Sequence, residues 1–389
     1  MRTTVFKLLF LTVFISIILA GCTWFDDDSE FADGFEESDI SVPAVPSYQP
    51  HDTLEKPEEN ASQLAPGFAY NLSWSMADIY ALWGGFISIS CENSGENDIF
   101  VYRYGIAVNW SFPWDWIYEE HNVLIRPGQE RHLGVVYITP PNITGNYTYE
   151  IIMSILVKDN ELYDEHGVES WYDNGTVHSK QREFNVEPLA APDEVEVINN
   201  NKYYYERVNE KVEFDGLENH EIIQDIRARY PGGYNIYQVL AIYDYILNNL
   251  SYIPDPEERD YWCNPYETIG RGGGDCEDFS ILFSSLTGAL GGTTRIYLTQ
   301  THAFSVLYMG NTSVKDDLLT AIELFYGTSL NFVIYEDKKG YWIAADPAGS
   351  WYMGGLPADA TPSLVSESPL RVDFSYHNTT EIHVIDVTG

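Results

Sequence analysis

The chain has 389 residues, 44% of them hydrophobic, which is enough for two or three domains with buried cores. Its 59 acidic residues against 21 basic ones give a formal net charge of −38, which argues against nucleic acid and anionic membrane surfaces as partners. A solvated acidic surface is the simplest explanation of this charge, and Ca²⁺ or cationic ligands are the alternatives.

The N-terminus has the pattern of an export signal. Arg2 and Lys7 precede an apolar run over residues 8–19, which is short for a bilayer span, and Leu-Ala-Gly then leads into Cys22. This junction resembles the lipobox of bacterial and archaeal lipoproteins. The resemblance implies a signal peptide over residues 1–22, lipidation of Cys22 and an anchor on the extracellular face of the cell membrane. An ordinary cleaved signal and an uncleaved membrane helix are the alternatives.

Glycosylation sequons are a second sign of export. Chance placement would give about three Asn-x-Ser/Thr sites in a chain of this composition. The sequence has nine, at Asn60, Asn71, Asn109, Asn142, Asn146, Asn174, Asn249, Asn311 and Asn378. Together with the lipobox they predict a glycoprotein of an archaeal cell surface.

Residues 23–66 are predicted to be a disordered tether. Eight of the fourteen residues from 26 to 39 are acidic, and residues 42–66 alternate prolines with polar residues without apolar periodicity. A charged linker that contains proline is extended, so it would hold the folded part away from the membrane.

Residues 67–190 are predicted to form a β-sandwich domain. Short runs with two-residue alternation at 86–90, 99–102, 132–138 and 147–157 are separated by turn clusters. Such modules resemble Ig-like domains, and the fold alone assigns no activity. An acidic cluster over residues 159–166 is predicted to be a solvated hairpin loop, with a Ca²⁺ site as the alternative; no metal site is predicted.

The remaining chain is predicted to be a linker over 191–219, an α+β domain over 220–360 and a β tail over 361–389. A helical pattern spans residues 235–250, and residues 252–267 read as a loop. β-rich runs at 293–299 and 302–309, a helix near 314–325, and a hairpin at 331–346 follow.

The central stretch runs from Arg271 to Gly292. Three glycines precede Asp275, which stands at an N-cap position, and Cys276 is then the first residue of an amphipathic helix. Unpaired N–H groups at a helix start favour a thiolate, whereas Asp275 and Glu277 disfavour it. A thiol nucleophile therefore needs a base from elsewhere in the chain.

His302 and Asp346 follow at places where they can meet this thiol. His302 begins a strand after the nucleophile helix and its first strand, and Asp346 ends the next hairpin. A base that takes the thiol proton and a group that orients the imidazole are what thiol catalysis requires. The order therefore predicts a triad of Cys276, His302 and Asp346.

These motifs together resemble the transglutaminase-like superfamily of papain-like thiol enzymes. The resemblance rests on Gly-Asp-Cys-Glu-Asp at 274–278, Gly-Gly-Thr-Thr-Arg-Ile-Tyr at 291–297, Thr-His-Ala-Phe at 301–304 and Tyr-Trp-Ile-Ala-Ala-Asp-Pro at 341–347, within residues 235–350. It implies a nucleophile at Cys276, a base at His302, an orienting partner at Asp346 and the Cys276 N–H as oxyanion donor, without a cofactor. Family members take a second oxyanion donor from upstream of the nucleophile, for which Trp262 and Tyr252 are the candidates. The departures from the family pattern are Ala303-Phe304 after the histidine and a long insertion before Asp346.

The cysteine count leaves one nucleophile and one pair. If Cys22 is lipidated, Cys91 and Cys263 remain besides Cys276, so a disulfide between Cys91 and Cys263 is a hypothesis. The predicted function is a surface-anchored thiol enzyme that forms an acyl-enzyme with protein, peptide or glutamine-type amide substrates. Hydrolysis is favoured slightly over acyl transfer. A non-catalytic adhesion or peptide-binding protein and a Ca²⁺-dependent wall-binding module are the other interpretations.

Overall fold

A computed structural model describes residues 38–43, 54–60, 66–191, 194–256, 260–310, 312–367, 370–376 and 379–388. The predicted signal peptide, Cys22 and most of the predicted tether lie outside the described residues. The structure divides into a β-rich N-terminal region and an α+β region. Within the described residues, no helix combines the length and the hydropathy that crossing a membrane requires.

The β-rich region contains two sheets. The smaller sheet has the order β1-β3-β7, and the larger has the order β2-β10-β8-β4-β5, with β6 paired to β4 and β9 paired to β8. The strands are β1 (Tyr70–Met76), β2 (Ile79–Tyr80), β3 (Gly85–Asn93), β4 (Ile99–Val108), β5 (Asp115–Glu119), β6 (Val123–Ile125), β7 (Glu130–Ile138), β8 (Gly145–Lys158), β9 (Trp171–His178) and β10 (Arg182–Glu187).

Both sheets contribute to one hydrophobic core. Ile87 and Ile89 of the smaller sheet pack in the same cluster as Ile106, Ile151 and Met153 of the larger one, and all five are buried. Alternating apolar residues put one face of each strand into this core. The four runs predicted as strands correspond to β3, β4, β7 and β8.

The acidic cluster lies in the solvent-facing connection between the antiparallel strands β8 and β9, as predicted, and part of this connection forms a short helix that was not predicted. Helix α1 is Asn160–His166, and the Asp159 side chain accepts a hydrogen bond from the Leu162 N–H as its N-cap. Gly167 ends the helix in the left-handed conformation. Asp159 therefore has a capping role, which explains an acidic residue at this place without a metal.

The α+β region combines helices with several strands, six of which form its main sheet. Its helices are α2 (Lys202–Lys211), α3 (Glu221–Arg229), α4 (Ile236–Asn249), α5 (Pro265–Arg271), α6 (Cys276–Ala289) and α7 (Thr312–Tyr326). Its strands are β11 (Glu196–Asn199), β12 (Ser251–Tyr252), β13 (Gly273–Gly274), β14 (Thr294–Leu298), β15 (Ala303–Gly310), β16 (Ile334–Glu336), β17 (Tyr341–Ala345), β18 (Ala360–Glu367), β19 (Leu370–Tyr376) and β20 (Glu381–Asp386).

The order of the main sheet corrects the predicted linker and tail. The sheet runs β11-β20-β14-β15-β17-β16, so β20 lies inside it and β11 is an edge strand that pairs parallel to β20. The linker predicted over 191–219 is therefore wrong, because it contains β11 and α2, whose Val208 is fully buried. The tail contributes β20 to the sheet of the predicted α+β domain, since β20 pairs antiparallel with β14.

Helix α5 begins in the last residues of the predicted loop over 252–267, where no helix was predicted. Asn264 caps it, with Pro265 at the first turn and a reciprocal capping box in which the Asn264 side chain accepts from Glu267 N–H and Glu267 reaches back to Asn264 N–H. The Asn-Pro-x-Glu sequence is the local signal for this start. The helix is only seven residues long, too short for apolar periodicity to predict it.

Two pieces of the predicted tether pack on the folded body, which corrects that prediction for these residues. Ile40 is buried in the helical core, and Ser41 forms a parallel bridge with Asn235. Glu59 forms another with Trp171. The described residues around 40 and 59 are therefore not part of an extended tether.

The two regions contact one another through aromatic residues. Phe86 of β3 lies in the helical core, with ring centroids 5.3 Å from Trp351 and 5.6 Å from Tyr352. The Asn331 amide donates to the Tyr137 hydroxyl at 2.6 Å, and both donate to the Trp83 carbonyl. The β-rich region therefore shares a core with the α+β region.

Candidate active site

Helix α6 places Cys276 at its first position. The helix is buried on almost every side, with Phe279, Leu282 and Phe283 in the main core. It packs against β14 and β15, so its N-terminus lies at the end of the sheet where His302 precedes β15. The N–H of a first-turn residue has no partner within its helix, so the Cys276 N–H is free of intrahelical bonding. Cys276 is 7% exposed.

The glycines before Cys276 permit a close approach of two backbone segments. Strand β13 pairs parallel with β12, with Ser251 opposite Gly273 and Tyr252 opposite Gly274. A Cβ on Gly273 would lie 2.1 Å from the Ser251 carbonyl oxygen. Only Gly272 of the three has a left-handed backbone, so the other two are needed for space and not for conformation. This pairing fixes Tyr252 beside the nucleophile.

Asp275 does not cap α6 with its side chain, contrary to the expectation from its position. It has the extended backbone of an N-cap residue but makes no side-chain cap bond, and its Oδ1 is buried without a hydrogen-bond partner. Burial and the nearby Glu277 and Asp278 raise the pKa of Asp275 to about 7. Asp278 holds the start of the helix instead. Its buried carboxylate accepts hydrogen bonds from the Cys263 N–H at 2.6 Å and from the Asp275 N–H.

His302 and Asp346 form a buried pair. The His302 Nε2 and the Asp346 Oδ2 are 2.7 Å apart, and both side chains are less than a tenth exposed. The His302 N–H donates to Thr299 Oγ1 at 2.9 Å, and the His302 carbonyl accepts from Thr299 N–H at 2.9 Å. Because Nε2 faces Asp346, Nδ1 is the ring nitrogen left for the thiol.

The Asp346 carboxylate is held by backbone donors. Its Oδ1 accepts the N–H groups of Ala348 at 3.1 Å and Gly349 at 3.0 Å, and its Oδ2 accepts the Ala358 N–H at 3.0 Å. The Tyr243 hydroxyl donates to the Asp346 carbonyl at 2.9 Å. These bonds fix the carboxylate in one orientation, which in turn fixes the imidazole.

Opposing neighbours act on the thiol. Burial raises the pKa of the Cys276 thiol, His302 lowers it and the Glu277 carboxylate raises it further, with a net rise. The thiol donates to Glu277 Oε2 at 3.0 Å. Burial alone lowers the pKa of His302, but Asp346 and Cys276 outweigh it and raise that pKa. The structure therefore brings Cys276, His302 and Asp346 together.

The two candidates for a second oxyanion donor differ in their surroundings. Tyr252 is 56% exposed and its hydroxyl interacts with Cys276; burial and then the thiol raise the pKa of Tyr252 to about 12. Trp262 is buried in the same apolar cluster as Cys276, but its indole N–H already donates to Asp260 at 2.6 Å. Arg207 also stacks over its ring at 3.9 Å. Tyr252 has its donor at the site, and Trp262 has a packing role.

The predicted disulfide between Cys91 and Cys263 is wrong. Both are free thiols in the structure. Cys91 points into the core between the two β-sheets, whereas Cys263 lies beside α5, where Arg271 donates to its sulfur at 2.7 Å. The pairing rested on cysteine number alone, which does not show where the two residues lie in the fold.

The sequons lie mostly on the surface of the part of the chain that the structure describes. Asn60 is partly buried, and so is Asn174, whose Nδ2 is fully enclosed. The sequons at 311 and 378 lie outside the described residues. The exposed ones are Asn71, Asn109, Asn142, Asn146 and Asn249. Glycosylation stays a prediction for all nine positions, and attachment at Asn174 would need a local rearrangement.

Three supporting residues were not anticipated from the sequence. Asp278 ties the nucleophile loop to Cys263, Thr299 holds the His302 backbone, and Tyr243 holds the backbone of Asp346. Asp278 follows the nucleophile by two residues and was visible as an acid at a helix N3 position, where reaching back to the N-cap is common. Thr299 and Tyr243 act through tertiary contacts, for which the sequence has no local signal.

Among the residues that the structure describes, no group of three or more His, Cys, Asp or Glu side chains is placed to hold a metal ion.

Comparison with known proteins identifies one domain. Residues 221–347 match the Transglutaminase-like superfamily, and the chain therefore contains a transglutaminase-like superfamily domain over these residues. A crystal structure of a candidate cysteine protease from Cytophaga hutchinsonii is similar at 11% sequence identity and a TM-score of 0.23, covering 82% of this chain and 92% of that one. No curated protein matches the sequence significantly.

Proposed function

We propose that the transglutaminase-like domain is a thiol enzyme that forms an acyl-enzyme at Cys276 from a peptide or glutamine-type amide. The observation that carries the proposal is the arrangement of Cys276 beside His302, whose Nε2 lies 2.7 Å from Asp346. This is the geometry of a nucleophile, a base and a group that orients the base.

The reaction follows from these positions. His302 Nδ1 takes the proton of the Cys276 thiol as the sulfur attacks the substrate carbonyl carbon. The oxyanion that forms accepts hydrogen bonds from the Cys276 N–H and the Tyr252 hydroxyl. The imidazolium then gives its proton to the leaving nitrogen, the C–N bond breaks, and a thioester remains.

The acceptor decides the class of enzyme. Water that attacks the thioester, with His302 as base, gives hydrolysis and a free carboxylate. An amine in the same place gives acyl transfer and a new amide. Hydrolysis is our preferred assignment, since Tyr252 beside the thiol is exposed and leaves this side of the site open to water.

The environment of the protein belongs to the same proposal. A lipid anchor at Cys22, glycans on the exposed sequons and an Ig-like sandwich over residues 67–190 would place the enzyme on an archaeal cell surface with protein or peptide substrates there. Support comes from the sequence of the N-terminus, the number of sequons and the two sheets that share one core. Mass spectrometry of the native protein checks the lipid and the glycans; an unmodified mass contradicts both.

A peptide mixture tests the proposed activity. Full-length protein incubated with peptides rich in glutamine is expected to yield products that Cys276→Ala does not, whereas Cys263→Ser keeps them. A product that contains added water identifies hydrolysis, and one joined to an added amine identifies acyl transfer.

A non-catalytic peptide-binding protein is the second candidate. The observation that favours it is the state of the Cys276 side chain, which is only 7% exposed and donates a hydrogen bond to Glu277 at 3.0 Å. In that case peptides bind without turnover, and Cys276→Ala leaves their affinity unchanged.

A further inference from the structure

A large cavity lies between part of the β-rich region and the helices of the α+β region. Its volume is about 1190 Å³, which is above the usual range of ligand sites. Strands β6 and β7 form one wall, and helices α3, α4 and α7 form the other. None of Cys276, His302 or Asp346 lines it. It is therefore a separate feature from the candidate active site.

Asp244 of α4 lies on the helical wall with incomplete pairing. The carboxylate accepts one hydrogen bond, from the Tyr326 hydroxyl at 3.3 Å. No Lys, Arg or His within the described residues forms an ion pair with it, whereas Asp225 on the same wall is paired with Arg229. Burial raises the pKa of Asp244 to about 7, as expected for a carboxylate withdrawn from water without a cation beside it.

Aromatic side chains surround the same space. Tyr326 contacts Phe325 and Tyr352, with centroids 5.1 Å and 6.2 Å apart. The aromatic residues that line the cavity are Tyr230, Tyr245, Phe325, Tyr326, Trp351 and Tyr352. Aromatic faces attract organic cations, and this attraction is stronger where water is excluded.

We propose that this cavity binds a small organic ammonium ion, with Asp244 as its counter-ion and the aromatic rings around its alkyl groups. A carboxylate without a cation and several aromatic faces in one partly enclosed space are complementary to positive charge carried on an apolar group. The inference concerns a second site and does not depend on the chemistry at Cys276.

The opposite wall determines the choice of probe. Arg126 and Arg131 lie there and are exposed, so a zwitterion would use them for its carboxylate. Tetramethylammonium has no carboxylate and does not donate hydrogen bonds. Its binding therefore does not involve a ligand carboxylate on these arginines, and the Asp244→Asn variant isolates the contribution of Asp244.

Titration calorimetry of the full-length protein with tetramethylammonium chloride tests the proposal. The pH is held at least about one unit above the Asp244 pKa, where the carboxylate is ionised, and sodium chloride keeps the ionic strength constant. We expect saturable binding to the wild type, a dissociation constant raised at least about tenfold in Asp244→Asn, and a change below about twofold in Asp225→Asn. Asp225→Asn is the matched control because it removes a carboxylate from the same wall that already has a cation.

The folding of the Asp244→Asn variant can be checked independently. Because the pKa of Asp244 is raised in the folded protein, the wild type becomes less stable as the pH rises through that pKa and the buried carboxyl ionises. The neutral Asn variant does not have this loss, so at the pH of the titration it should melt no lower than the wild type. Lack of saturable binding to the wild type, equal heats from sodium chloride, or wild-type affinity in a folded Asp244→Asn variant would each overturn the proposal.

Discussion

Two neighbouring side chains, His302 and Glu277, shift the pKa of the Cys276 thiol in opposite directions. His302 stabilises the thiolate, and Glu277 at 3.0 Å stabilises the thiol. The protonation of the thiol therefore depends on the charges of these two neighbouring side chains. Changes that remove one charge and keep the shape are the informative ones at this scale.

Replacing Glu277 by Gln should make Cys276 more reactive at lower pH. The Glu277 carboxylate contributes to the raised pKa of the thiol, so its removal lowers that pKa and increases the thiolate fraction at a given pH. The measurement is the pH profile of Cys276 alkylation by iodoacetamide, read on the Cys276 peptide, with the exposed Glu206→Gln as control. A profile that stays in place, or moves to higher pH, contradicts the assigned effect.

Replacing Asp346 by Asn should lower turnover by about 10²–10⁴-fold while substrate binding changes little, because the imidazole loses its orienting carboxylate. Asp346 also helps raise the pKa of His302, and His302 must be unprotonated to take the thiol proton, so the low-pH limb of activity should move to lower pH in this variant. Exposed Asp316→Asn is the control. An active Asp346→Asn enzyme with an unchanged pH profile would remove Asp346 from the mechanism.

At the scale of the elements, the active site depends on how α6, β15 and the β12–β13 pair meet. The positions of α6, α4, β14 and β15 could be predicted, because their apolar periodicity and the glycines around them are local signals. The pairing of β11 with β20 could not, since the two strands lie almost the whole α+β region apart in the chain. The short α5 was also missed, although Asn264, Pro265 and Glu267 form a readable capping box.

The same distinction applies to the site. The triad could be predicted from residue type and order. The hydrogen bond from the Cys263 N–H to Asp278 and the backbone N–H groups that hold the Asp346 carboxylate could not, because they depend on contacts made only after folding. The expected side-chain cap by Asp275 was wrong; in the structure Asp278 accepts hydrogen bonds from the N–H groups of Asp275 and Cys263. Cysteine number could not show that Cys91 belongs to another core.

Replacing Gly273 by Ala should separate β12 from β13 and displace Cys276. The new Cβ would lie 2.1 Å from the Ser251 carbonyl oxygen, so the pairing cannot persist. We expect activity or Cys276 labelling to fall at least about tenfold while the far-UV circular dichroism stays native. Gly270→Ala is the matched control in the same stretch, since a Cβ there meets nothing within 4 Å. Equal behaviour of the two variants would contradict the packing role of Gly273.

The whole molecule joins its two regions through a shared core, and Phe86 is the clearest link. It is 7% exposed and its ring packs against Trp351 and Tyr352. The β-rich region therefore stabilises the α+β region that carries the site, beyond any binding role of its own.

Replacing Phe86 by Ala should lower the free energy of unfolding by about 3–5 kcal/mol, as for other buried phenylalanines. The fully exposed Phe112, at 99% exposure, is the control, and its replacement by Ala should change that free energy by less than about 0.5 kcal/mol. Urea unfolding followed by circular dichroism measures both. Equal midpoints for the two variants would show that the regions are energetically independent.

Labelling of the native protein by a thiol-directed acyl probe tests the central claim most directly. The account predicts modification of Cys276 with Cys91 and Cys263 unmodified, no modification there in Cys276→Ala, and a rate at least about tenfold lower in His302→Gln. Labelling of Cys276→Ala to the wild-type extent, or at the same rate in His302→Gln, would contradict the assignment of Cys276 as a nucleophile activated by His302.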